Sequence, residues 1–148
     1  MPCSLLVLNG PNLNLLGSRE PSMYGLKTLS EINSILMEKA KVLSCSVEFV
    51  QSNHEGVLVD TVQTAAGNKD GMLLNAGAYT HTSVALRDAI LATKIPFVEV
   101  HMSNVAAREK FRQSSYFSDV ALGVVHGFGW FSYVIAMEAL VHSLNPDT

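Results

Sequence analysis

Leu5-Leu-Val-Leu8 is followed at once by Asn9-Gly-Pro-Asn-Leu-Asn-Leu-Leu-Gly-Ser-Arg-Glu-Pro-Ser-Met-Tyr24-Gly25. The unbroken apolar run reads as a buried strand. The stretch behind it reaches Gly25 before the next helical pattern begins. Connections after a strand in α/β units usually take about 2–6 residues, so one this long is expected to be functional or disordered. Disorder does not suit it, because Leu13, Leu15, Leu16, Met23 and Tyr24 alternate with glycine and proline. It also carries Asn12, Arg19 and Tyr24, three side chains able to do chemistry. A loop leaving the first strand is where open α/β sheets place their ligands.

Downstream, strands and helices alternate. Thr28-Leu-Ser-Glu31 is a capping-box pattern, and Leu29, Ile32, Leu36 and Leu43 follow at helical spacing. Val47–Gln51 alternates like a strand. Asn53 is a candidate cap for a second helix carrying Leu58, Val62 and Ala65, with Gly67 at its end. Gly71–Asn75 reads as a third strand. Thr80 to Thr93 contains a third helical pattern, with Val84, Ala85, Leu91 and Ala92 as expected core. Pro96–His101 reads as a fourth strand, a short helix is expected near 106–111, and Val120–Val124 reads as a fifth strand. Phe131 to Leu144 is a long, mostly apolar final helix. Five strands alternating with helices imply a parallel sheet covered on both faces. A flavodoxin-like order, 2-1-3-4-5, is expected, with its crevice beyond the carboxyl ends of strands 1, 3 and 4.

Size and composition fit that reading. A chain of 148 residues suggests one domain, residues 1–148. It is 48% hydrophobic and 16% charged, as suits either a fully buried sheet or a surface partly covered by other subunits. A net charge of −3 leaves no basic footprint for nucleic acid. No stretch approaches the roughly 20 apolar residues of a membrane helix, and the first residues lack the basic region of a signal peptide. Cys3 and Cys45 offer no metal spacing and are expected to be reduced thiols in a cytoplasmic protein.

The three strand ends facing the expected crevice supply Asn12, Arg19 and Tyr24, then Asn75 and His81, then Glu99, His101, Ser103, Arg108 and Arg112. Such a set holds acids and bases, cations for a carboxylate or phosphate, and hydroxyl and amide groups. A small, oxygen-rich, anionic substrate fits it. Asn9-Gly-Pro-Asn lacks the G-x-G-x-x-G spacing of a dinucleotide site. No Gly-x-Ser-x-Gly marks a serine nucleophile. His81 and His101 with Glu99 or Asp88 form no compact metal signature, and nearby arginines oppose a cation. These residues alone leave open a non-catalytic binding module using the same crevice, or a hydrolase of the same fold.

Longer motifs narrow the choice. Asn9-Gly-Pro-Asn-Leu-Asn-Leu-Leu-Gly with Arg19-Glu-Pro and Tyr24-Gly25 resembles the type II 3-dehydroquinate dehydratases. So do Gln51-Ser-Asn53 with Glu55-Gly56, Asn75-Ala-Gly-Ala-Tyr-Thr-His-Thr-Ser-Val-Ala-Leu-Arg-Asp88, Glu99-Val-His101 with Ser103-Asn104, and Arg108-Glu with Phe111-Arg112. The match extends to Gly127-Phe-Gly129 and so covers nearly the whole chain. The resemblance implies reversible dehydration of 3-dehydroquinate to 3-dehydroshikimate through an enolate. The family works without a metal, an organic cofactor or a lysine imine. It serves the shikimate pathway or quinate catabolism.

Residue roles follow from the same resemblance. Tyr24 is implied as general base. A phenol is almost wholly protonated at neutral pH, and a neighbouring cation favours its anion. Arg19, on the same loop, is the implied cation, with Arg108 a second contributor. Asn12 is implied to stabilise the enolate oxygen through an ordered water, although an asparagine after a proline also suits an Asx-turn. His101 is implied as general acid. Glu99, two residues earlier on the same strand, shares its face and can orient the imidazole. Asn75, His81, Ser103, the Met102 backbone and Arg112 match positions that hold substrate. Asp88 matches a position that reaches a neighbouring subunit's site, and a local pair with Arg87 or Lys94 is the alternative. The family assembles trimers into dodecamers, so a homododecamer is expected.

Overall fold

The computed structural model describes residues 3–18 and 20–146. Five strands, β1 (Cys3–Asn9), β2 (Cys45–Gln51), β3 (Gly71–Asn75), β4 (Phe97–His101) and β5 (Gly123–His126), form one parallel sheet. Their order is β2-β1-β3-β4-β5, as the alternation of elements implies for a flavodoxin-like fold. The helices are α1 (Pro21–Tyr24), α2 (Leu29–Val42), α3 (Glu55–Ala65), α4 (Val84–Thr93) and α5 (Phe131–Leu144).

Strand alternation divides the core into two layers. Leu5 and Val7 of β1 pack with Ile32, Leu36, Tyr133, Met137 and Leu140, the apolar faces of α2 and α5. Leu6 and Leu8 point the other way, onto Leu58 and Val62 of α3 and Leu86 and Ile90 of α4. Each layer buries whole aliphatic side chains, worth about 1.5–3 kcal/mol apiece.

Local chemistry sets several element ends. Thr28 Oγ1 accepts from the Glu31 amide at 3.2 Å, and Glu31 Oε1 accepts from the Thr28 amide at 3.3 Å, so the capping box forms. The loops leaving β1 and β3 lie against each other. The Gly10 amide donates to the Asn75 carbonyl at 2.7 Å. A Cβ on Gly10 would sit 2.2 Å from the Ala76 carbonyl oxygen, so that position excludes every side chain.

Six expectations need correction. Asn53 does not cap α3. Its Oδ1 accepts from the Asn12 amide (3.0 Å) and Gln51 Nε2 (3.2 Å), and so ties down the first loop instead. The third helical pattern is two pieces, a 3-10 turn at Gly77–His81 and then α4, because Ser83 Oγ caps the Leu86 amide. The buried face of α4 is Leu86, Ala89 and Ile90, while Val84, Ala85, Leu91 and Ala92 are exposed. This helix has two apolar stripes, and spacing alone does not say which one meets the sheet. Near 106–111 there are two 3-10 turns, Val105–Ala107 and Lys110–Gln113, in place of one helix. The fifth strand starts at Gly123, because the Val120 and Ala121 amides turn back to the Phe117 carbonyl. Finally, Cys3 and Cys45 are register partners on neighbouring strands and form a disulfide, so neither is a free thiol.

Candidate active site

The carboxyl ends of β1, β3 and β4 open on a cleft of about 160 Å³. The first loop supplies Asn12 and Tyr24 to its wall. The segment after β3 supplies Asn75 and His81, and β4 with its following turns supplies His101, Met102, Ser103, Arg108 and Arg112. Nine side chains singled out from sequence thus line one cavity. Arg19 lies outside the described residues. Glu99 stands behind His101 and does not line the cleft. Asp88 is exposed on α4 and lines no part of the cleft in its own chain. Its neighbour Arg87 pairs with Asp119 instead, at 2.6 Å.

Tyr24 is buried at the end of α1. Arg108 Nη1 donates to its hydroxyl oxygen at 2.8 Å, and the guanidinium carbon lies 5.6 Å from the ring centre. Arg108 Nη1 also lies 3.4 Å from Ser103 Oγ, and its buried Nε meets no hydrogen-bond acceptor among the described residues. Asn12 has φ 69°, a left-handed conformation that asparagine tolerates better than most residues, and its side chain caps nothing in the turn it opens.

His101 and Glu99 form a dyad. His101 Nε2 lies 2.5 Å from Glu99 Oε2. The other carboxylate oxygen accepts from Ser115 Oγ at 3.0 Å and Ser118 Oγ at 2.6 Å. Burial pushes the Glu99 carboxyl up. Hydrogen bonds from His101 and both serines, with the His101 charge, outweigh that and hold it below the ordinary glutamate range. His81 is fixed from behind as well, with Nδ1 donating to the Ser114 carbonyl at 2.7 Å.

The floor rests on a buried amide–phenol–amide chain. Tyr133 of α5 donates to Asn9 Oδ1 at 2.6 Å and accepts from Asn75 Nδ2 at 2.8 Å. Asn75 Oδ1 in turn accepts from the Gly77 amide at 3.3 Å. Burial pushes the Tyr133 hydroxyl up, so it remains a neutral donor. Sequence reading missed Asn9, Ser115, Ser118 and Tyr133 as supports. Only Tyr133 carried a signal, since a phenol amid an apolar helix must find a partner once buried. Among the described residues, no three His, Cys, Asp or Glu side chains gather into a metal-binding group.

Comparison with known proteins gives a consistent result. A family model described as dehydroquinase class II matches residues 3–141. The chain is 58% identical over 144 residues to a 3-dehydroquinate dehydratase from Nostoc sp., covering 97% of this chain and 98% of that protein. It is 51% identical over 146 residues to a catabolic 3-dehydroquinase from Emericella nidulans, covering 99% and 95% respectively. The crystal structure of a type II dehydroquinase from Butyrivibrio crossotus superposes with a TM-score of 0.91 at 43% identity, over 93% of this chain and 97% of that one.

Proposed function

The chain belongs to the dehydroquinase class II family, and we propose that it converts 3-dehydroquinate to 3-dehydroshikimate with Tyr24 as base and His101 as acid. The observation that carries this reading is the contact between Arg108 Nη1 and the Tyr24 oxygen in a cleft shared with His101. In the proposed path, phenolate Tyr24 takes a proton from the carbon beside the ketone. The C–H electron pair becomes the enolate, whose oxygen Asn12 stabilises through a water. The enolate then re-forms the ketone and expels the β-hydroxyl, which takes a proton from His101 and leaves as water. Glu99 stabilises the imidazolium before that transfer. Arg19 is a second cation for the base.

Asn75, His81, the Met102 backbone, Ser103 and Arg112 bind the hydroxyls and carboxylate of the anionic substrate. The relatives bear both general and catabolic names, so the proposal covers either the shikimate pathway or quinate breakdown. We also propose a homododecamer of trimers, in which Asp88 reaches the site of an adjoining copy. Exposed Val84 and Leu91 on α4 and Leu122 and Val124 at the β5 edge are apolar surface suited to such contacts. Among the described residues no helix is long and apolar enough to cross a membrane. A cytoplasmic location belongs to the same proposal.

The test is direct. Adding 3-dehydroquinate should raise the absorbance of a conjugated enone, and Tyr24→Phe should abolish that rise while leaving substrate binding largely intact. No enone from the wild-type protein would sink the activity. Full turnover by Tyr24→Phe would sink the base assignment alone.

A further inference from the structure

The turn at residues 114–119 meets His81 directly and reaches His101 through Glu99. Its Ser114 carbonyl accepts from His81 Nδ1. Its Ser115 and Ser118 hydroxyls meet Glu99 Oε1. The turn itself is held firmly. The Tyr116 amide donates to the Thr80 carbonyl at 2.9 Å. Arg87 donates to the Tyr116 carbonyl at 2.8 Å and to both Asp119 oxygens, at 2.6 and 3.0 Å.

Proton counting gives the contacts a direction. Ser115 Oγ accepts from the Phe117 amide at 3.0 Å and the Ser118 amide at 3.2 Å, which uses both lone pairs. Its one hydrogen is therefore left for Glu99. Ser118 brings a second hydroxyl to the same oxygen. An oxygen that receives two hydroxyl protons is stabilised as the anion. An ionised Glu99 can only accept, so the nitrogen facing Oε2 must carry a proton.

We propose that Ser115 and Ser118 are positioning residues, which occupy one oxygen of Glu99 so that the other holds His101 as the Nε2–H tautomer. Nδ1 is then the ring nitrogen left to exchange a proton with substrate. The same turn sets His81 the opposite way, because a carbonyl demands Nδ1–H. The proton-transfer part of this inference rests on the dehydratase reading above. The tautomer part does not.

The experiment follows the histidine rings by ¹⁵N NMR in ligand-free protein, at a pH where imidazoles are neutral. Wild type should show His101 as Nε2–H and His81 as Nδ1–H. Ser118→Ala should turn His101 into a tautomer mixture and leave His81 unchanged as an internal control. In the enone assay its kcat should fall about tenfold, the scale of a hydrogen bond to a charged group, with KM within about twofold. Ser118→Thr, which keeps a hydroxyl, should restore both signals. Ser115→Ala supplies a second arm and should also loosen His101. An unchanged His101 tautomer in both alanine variants would overturn the proposal, as would a threonine variant no better than alanine. A wild-type protein with no dehydratase activity would overturn the function alone, since the NMR arm still reads the tautomer.

Discussion

Arg108 joins two parts of the cleft, the Tyr24 oxygen and the Ser103 hydroxyl, and lies 3.8 Å from exposed Glu109. Because it donates to the proposed base, Arg108→Ala should lower kcat about 10–100-fold, the range expected for one charge-assisted hydrogen bond. Steady-state kinetics would show this as a fall in kcat larger than any rise in KM. Glu99 makes a different prediction. Its carboxyl is held below its ordinary value of 4.5. It therefore contributes stability that is present in full above that pH and is lost as pH falls through the lower folded value. Urea melts across the acid range should show Glu99→Gln with a shallower loss of stability than wild type. At this scale much was legible in the sequence. His101 stood out by its place beside the crevice, whereas Tyr24 and Arg112 gained their roles only from the family resemblance. Ser115 and Ser118 did not stand out, because a serine in a turn looks the same whether it faces water or a buried carboxylate.

Between elements, the Asn9–Tyr133–Asn75 chain couples β1, β3 and α5 beneath the cleft. Tyr133→Phe keeps the ring and leaves two buried amides short of a partner, at a cost of about 1–3 kcal/mol. It should lower the denaturation midpoint and raise KM through a loosened Asn75, and a paired melt and kinetic assay would detect both. Thr28→Ala, by contrast, removes a cap that lines no part of the cleft. It should cost about 1 kcal/mol of stability with kcat unchanged. Elements with one dominant signal were legible: the capping box placed α2, and the apolar runs placed β1 and β3. The buried face of α4 was not, because Val84, Ala85, Leu91 and Ala92 form as good a stripe as Leu86, Ala89 and Ile90. The start of β5 was hidden too, since Val120 and Ala121 are strand-like in composition but spend their amides on a turn.

For the whole molecule, the disulfide joins β1 to edge strand β2 at the end of the sheet remote from the cleft. Its sequence separation of 42 residues corresponds to about 4 kcal/mol of loop-closure stabilisation. Reductant should therefore lower the melting temperature markedly while leaving turnover at room temperature nearly unchanged. Spacing gave no hint of this bond, because partnership across a sheet depends on register between strands distant in sequence. The exposed apolar stripes suit assembly, and sedimentation should report twelve times the 16.0 kDa chain mass.

Tyr133 lies 124 residues beyond Asn9 and 58 beyond Asn75. On the ribosome, both asparagines emerge long before the phenol that joins them. A nascent chain released before α5 would carry Tyr24, His101 and Arg108, yet its two strand-end amides would have no partner between them. The support beneath the cleft therefore closes only once α5 has been made and has docked on the sheet.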